Sequence, residues 1–188
     1  MDNGNKSNPG SDLWQLSMDE LRARFYDFPT IPLHMHLGIT FEREDPNGPA
    51  ICTLPANPEF LLPDGTQSEA AIFTIGEVSG GVAVSDAVVP VAAQLGMRPV
   101  ILTKTATFRP LAQARGSMTG VCEVAGDYEA AVGRMNKRKK ADVAIAVKIH
   151  DEQRTLVGDS VLYYYVRLMD ESRLKAMAAM SSGMAGWS

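Results

Sequence analysis

Soft metal ligands are scarce in this chain: 188 residues hold only two cysteines and three histidines. Cys52 and Cys122 stand far apart, each in a run that reads as a strand. They are expected to be small core residues in a reducing compartment, with no disulfide framework between them. A catalytic thiol needs a neighbouring base, and no local motif supplies one. His34 and His36 in "HMH" would share one face of a strand, but His150 is distant and no carboxylate stands at ligand spacing, so no metal is expected. Positive charge is not in excess either. The formal net charge is −4, which argues against a surface built for nucleic acid. The start, "MDNGNKSNPGSD", lacks a basic stretch followed by an apolar run, so no secretory signal is expected and the cytoplasm is the expected location.

Charge is also missing from one long internal stretch. Of the sixteen residues from Ala70 to Ser85, only Glu77 is charged. The stretch reads as a buried helix running from about Ser68 towards Val89, with Pro90 interrupting it. Its glycines, serines and Glu77 argue against a membrane span. A lone carboxylate in an apolar helix is costly unless it is paired or protonated. Glu77 is therefore either a structural charge tied to an arginine or a backbone amide, or a functional group.

Around this helix the pattern changes. Residues 1–11 are rich in Asn, Gly, Ser and Pro and are expected to be disordered. Residues 12–169 are expected to form one domain that begins with a short amphipathic helix in "DLWQLSMDELRARFYDF", and 170–188 a tail. Strands are expected at 33–44, 48–56, 98–109, 116–124, 141–150 and 155–168, from runs with a period of two. Two strands, one buried helix and four strands joined by short connections imply an α+β fold, an antiparallel sheet wrapped around one helix. The small residues Gly76, Ser79, Gly80 and Gly81 would let the sheet approach the helix backbone. Glycine costs about 1 kcal/mol in a helix interior relative to alanine, so several together call for a packing or functional reason.

This order resembles the hotdog fold, a helical sausage in a sheet bun. "GTQSEAAIFTIGE" is similar to the helix start of hotdog acyl-CoA thioesterases of the phenylacetate-pathway type and of related uncharacterised hotdog families. Gly65, Thr66 and Glu77 match; Ser68 stands where those families usually have His, and Glu69 where they have Gly or Ala. "TKTATFRPLAQARGSMTGVCEV" and "VKIHDEQRTLVGDSVLYYYV" resemble the strand pair and closing hairpin of the same fold. The resemblance implies an acyl-CoA thioesterase, without a cofactor, that self-associates as a dimer or tetramer and binds neither nucleic acid nor membrane. It implies that backbone N–H groups at Glu69 and Ala70 hold the thioester oxygen and that Glu77 of one subunit serves as base or nucleophile in a site shared with another. Asp64, Gln67 and Ser68 would orient water or substrate, with plain helix capping as the other reading of Ser68. The cations Arg134, Lys137, Arg138, Lys139 and Lys140 would grip the phosphates of coenzyme A, or else form a solvated turn. A non-catalytic acyl-CoA-binding protein is the first alternative. A hotdog hydratase is the second, disfavoured because this helix has no histidine.

Overall fold

The computed structural model describes residues 32–42, 50–170 and 172–173. The expected N-terminal helix, the disordered start and most of the tail lie outside these residues. The elements are α1 (Pro32–Leu37), β1 (Thr40–Glu42), β2 (Ile51–Leu54), a 3-10 turn (Pro58–Phe60), α2 (Glu69–Gln94), β3 (Arg98–Pro110), β4 (Met118–Ala125), α3 (Tyr128–Arg138), β5 (Lys140–Asp151) and β6 (Leu156–Met169). Six antiparallel strands form one sheet in the order β1-β2-β4-β5-β6-β3.

The strand pattern follows from the period. On β5, Val143, Ile145, Val147 and Ile149 are all buried, the face that alternation assigned to the core. They pack with α2 and the inward residues of β6 in one cluster. Cys52 and Cys122 are buried free thiols on β2 and β4. Burial, with smaller contributions from Cys52 and Asp86, pushes the Cys122 thiol up, away from reactivity.

Three expectations need correction. "LHMHL" is helical, not a strand: α1 buries His34 and Leu37, three residues apart on one helix face, and residues at i and i+2 then diverge. His36 accordingly points outward and lies 3.8 Å from Glu59. Secondly, α2 runs through Pro90 without a break. Proline forfeits one helical hydrogen bond, but Val88, Val89, Val91 and Ala92 around it are all buried and hold the turn in place. Thirdly, β4 and β5 are not joined by a short basic hairpin. Gly126 (φ 80°) ends β4, Asp127 caps α3 by accepting from Ala130 N at 2.8 Å, and Ala131 and Met135 bury one face. Lys137 and Arg138 form its last turn, where cations suit the helix dipole, and Lys139 closes it in the left-handed region at φ 57°.

The glycines decide how near the sheet comes to α2. A Cβ on Gly76 would lie 2.7 Å from Ser160 Oγ, and one on Gly80 2.7 Å from Tyr164 Oη and 2.8 Å from Leu162 Cδ1. On the sheet side, a Cβ on Gly120 would lie 2.0 Å from Ser79 Oγ, which is tied to Ile75 O at 2.6 Å. A Cβ on Gly133 in α3 meets nothing within 4 Å. Gly120→Ala is expected to destabilise the fold by about 1–3 kcal/mol through overpacking. Gly133→Ala is expected to stabilise it by up to about 1 kcal/mol. Chemical denaturation of the two variants beside the parent checks both signs.

Candidate functional site

The loop before α2 is held in place by its own polar groups. Asp64 accepts from Thr66 N at 3.0 Å and from Thr66 Oγ1 at 2.7 Å, and these bonds hold its exposed carboxyl below its ordinary value. Gln67 is buried, donates from Nε2 to Gly116 O at 2.8 Å, and bonds Ala114 O through its backbone N–H at 2.9 Å. Its Oε1 is buried without a partner among the described residues. The segment it grips is clamped from the other side by buried Asp151, which accepts from Arg115, Gln153 and Thr155 N–H groups. Ser68 caps α2, its hydroxyl accepting from Ala71 N at 3.2 Å. Glu69 is exposed in the first turn, where a carboxylate complements the dipole. The N–H groups of Glu69 and Ala70 have no carbonyl one turn earlier in their own helix.

Asp64, Gln67, Ser68 and Glu69 therefore form one cluster at the helix start. Glu77 does not join them: eight residues at 1.5 Å each place it about 12 Å along α2. It is half-buried and has no hydrogen-bond or ion-pair partner among the described residues, and burial raises its carboxyl above the ordinary 4.5. Among the described residues no arginine or backbone amide holds it. Phe73, one turn earlier on the same helical stripe, meets the ring of Phe108 edge-on at 5.6 Å. Phe108 belongs to β3, which among the described residues pairs only with β6 and lies at an edge of the sheet. Glu77 thus faces this edge of the sheet.

Two hydroxyls that sequence reasoning missed reach α2 on either side of Glu77. Ser160 Oγ and Tyr164 Oη are buried without partners among the described residues, against Gly76 and Gly80 respectively. Burial, and then the nearby Glu77 charge, pushes the Tyr164 phenol up. The signal was present: Gly158, Ser160, Leu162, Tyr164, Val166 and Leu168 all point inward, and two hydroxyls interrupt an otherwise apolar row.

The five expected phosphate-binding cations separate. Arg134, Arg138 and Lys140 line one cleft, together with Lys104, Asp142 and Tyr165; Lys137 and Lys139 do not line it. Tyr165 follows Tyr164, whose hydroxyl meets α2, and strand side chains alternate. The cleft therefore opens on the face of the sheet turned away from Glu77. Among the described residues, no group of three or more His, Cys, Asp or Glu side chains is placed to hold a metal ion.

No protein-family model matches the chain, and no curated protein matches its sequence. Solved structures do match. A Pseudomonas aeruginosa protein of unknown function, described as a "probable thioesterase", aligns over 81% of this chain and 97% of its own, with TM-score 0.60 and 21% identity. A protein of unknown function from Chlorobaculum tepidum aligns over 81% and 97%, with TM-score 0.61 and 15% identity. A variant of a thioesterase from Staphylococcus aureus aligns over 72% and 98%, with TM-score 0.55 and 12% identity. The chain shares the hotdog fold with these proteins, one long helix inside an antiparallel sheet. By length and composition α2 would span a membrane, but here it is the core helix inside that sheet.

The raised Glu77 carboxyl makes a pH prediction. An acid whose folded pKa exceeds its unfolded value contributes stability below the unfolded value and loses it as pH rises through the folded one. Glu77→Gln should therefore raise the melting temperature at pH 7, and the gain should shrink as pH falls towards 4. Thermal denaturation across that range measures the difference.

Proposed function

We propose that the protein is a thioester hydrolase of the acyl-CoA type, with Glu77 as general base or nucleophile. The observation that carries this reading is Glu77 itself, a half-buried carboxylate that among the described residues has no partner and faces an edge of the sheet. A structural role leaves such a charge unexplained, whereas a base benefits from burial that raises its proton affinity. The fold's neighbours are in keeping with it, several being described as thioesterases.

In this reading the thioester carbonyl oxygen is held by N–H groups at the start of α2, Glu69 first and Ala70 beside it, which stabilise the oxyanion. Glu77 takes a proton from water as the water attacks the carbonyl carbon. The tetrahedral intermediate collapses, the C–S bond breaks, and the thiolate leaves to be protonated. A direct attack by the Glu77 carboxylate would instead form an anhydride that water then opens. Because Glu69 and Glu77 are about 12 Å apart on one helix, the two halves come from different copies, joined along the open edge of β3. Dimerisation also covers an edge strand that exposes Leu102. Ser68 caps, Gln67 clamps the loop, and Asp64 shapes it, so the first turn is held ready without a histidine. A cytoplasmic location and coenzyme A as carrier belong to the same proposal.

One observation favours a second reading, a protein that binds acyl-CoA without hydrolysing it. The Ser68 hydroxyl oxygen serves as the helix cap, accepting from Ala71 N, and no histidine stands in that turn. A thiol-release assay over a panel of acyl-CoA thioesters separates the two. The hydrolase reading predicts turnover that falls about 10²-fold or more in Glu77→Gln, with the fold intact. Turnover unchanged in that variant would remove Glu77 from the chemistry, and no turnover in the parent would leave the binding protein. Light scattering at micromolar concentration is expected to find a dimer or tetramer; a stable monomer would remove the shared site.

A further inference from the structure

Two polar groups beside one stretch of α2 lack partners among the described residues. One is the half-buried Glu77 carboxyl. The other is the hydroxyl of Tyr164, a residue only 2% exposed whose Oη is buried with nothing to bond. A buried hydroxyl without a hydrogen bond is costly, and a buried carboxylate more so. Each lacks what the other supplies: the phenol has a proton to donate, and an ionised carboxylate can only accept.

The helix brings them to neighbouring turns. Gly80 stands one turn after Glu77 and about 60° round the helix from it. A Cβ on Gly80 would lie 2.7 Å from Tyr164 Oη, so the glycine admits the phenol to the surface of α2 beside Glu77. A side chain at that position would stand between them. Tyr164 also pairs with Thr103 of β3, the edge strand that Glu77 faces. Among the described residues, other ionisable groups are turned elsewhere. On α2 itself, Glu69 lies about 12 Å back and Asp86 on the opposite side of the helix. Asp151 of β5 is committed to the loop before α2. Tyr128 of α3 donates to Ala87 O, farther along the helix. Cys52 and Cys122 on β2 and β4 are buried thiols, and burial keeps Cys122 protonated. Burial, and then the Glu77 charge, pushes the Tyr164 phenol up, so it remains a donor wherever Glu77 titrates.

We propose that Tyr164 is a positioning residue for Glu77: once the carboxyl ionises, its side chain turns to accept from the phenol hydroxyl, which stabilises the charge and fixes the group in place. Burial alone works against a base, because a carboxyl that stays protonated takes no proton from water. A hydrogen bond to the charged form works the other way. Tyr164 thus lets Glu77 occupy a half-buried position and still ionise near neutral pH. The part played in hydrolysis rests on Glu77 being the base; the hydrogen bond itself does not. Ser160 offers a contrast. Its hydroxyl is also buried without a partner among the described residues, but it lies with Ile149 of β5 against Gly76, about 100° round the helix from Glu77.

Carbon-13 NMR of the glutamate carboxyls on the full chain tests the bond, with Glu77 assigned by its loss in Glu77→Gln. Tyr164→Phe should move the Glu77 midpoint up by about one pH unit or more, and Ser160→Ala should leave it in place. In the parent, the Tyr164 Cζ resonance should shift with the same midpoint as the Glu77 carboxyl, a reading that stands even if Tyr164→Phe fails to fold. The pH profile of kcat/KM for thioester hydrolysis tests the role. In Tyr164→Phe its acid limb should move up with the carboxyl, slowing turnover about tenfold on that limb, while the plateau at higher pH is kept. A tyrosine that only packs would alter stability and move neither midpoint nor limb. A parent without turnover overturns the hydrolase reading, and the carboxyl titration still decides the bond. The bond is overturned if Tyr164→Phe leaves the Glu77 midpoint where it was, if Ser160→Ala moves it as far, or if the Tyr164 Cζ resonance does not follow Glu77. A limb that stays in place while the carboxyl moves overturns the role in hydrolysis.

Discussion

The rest of the structure depends on how closely the sheet approaches α2. Side chains from β6 meet the helix where Gly76 and Gly80 have no Cβ, and β4 presents Gly120 to Ser79. Each contact is too close for even a methyl group, so the glycines of α2 reflect packing and not looseness. The helix gives up propensity, about 1 kcal/mol for each glycine, and gains a sheet that curves over it with the apolar rows of β5 and β6 in contact with its backbone. That closeness makes a buried hotdog helix rich in small residues and poor in charge.

The same approach determines which way Glu77 faces. With the glycine side of α2 closed against β6, and Ile75 and Ser79 against β4, a long polar side chain has no room inward. The stripe shared by Phe73 and Glu77 is turned towards β3, one of the two edge strands of the sheet among the described residues. Burial is deep enough to raise the carboxyl's proton affinity, and the group has no hydrogen-bond or ion-pair partner among the described residues. The hydroxyls of Ser160 and Tyr164, buried without a partner among the described residues, meet α2 close to it.

Much of this was legible in the sequence. The long apolar helix and the strands after it follow from period and composition, and the lone charge at Glu77 drew notice before any fold was known. The helix α3 was hidden because only Ala131 and Met135 of its eleven residues are buried, so the cations dominated the reading and its apolar spacing went unseen. The cap at Asp127, one residue after Gly126, was the available signal. The six residues of α1 are too few for a period to emerge, and alternation across "LHMHL" imitates a strand. Of the cleft on the outer face, only the cations Arg134, Arg138 and Lys140 stood out in the chain; its other wall did not. Lys104 and Tyr165 belong to different strands and meet the basic run only through sheet pairing and a bulge, neither of which leaves a local mark.

The central claim is that Glu77 of one copy works with the α2 start of another. Subunit mixing tests it most directly. Glu69→Pro removes one oxyanion donor at the first helical position, where proline is tolerated, and Ser68 already has the extended backbone (φ −69°, ψ 152°) that a following proline requires. Glu77→Gln removes the carboxylate. Each homodimer should be impaired in thioester hydrolysis, while a heterodimer of the two contains one intact site and one doubly impaired site. The account predicts that purified heterodimer recovers up to about half of the parent activity, since one of its two sites keeps both the carboxylate and the donor. A heterodimer no more active than the two homodimers would contradict it.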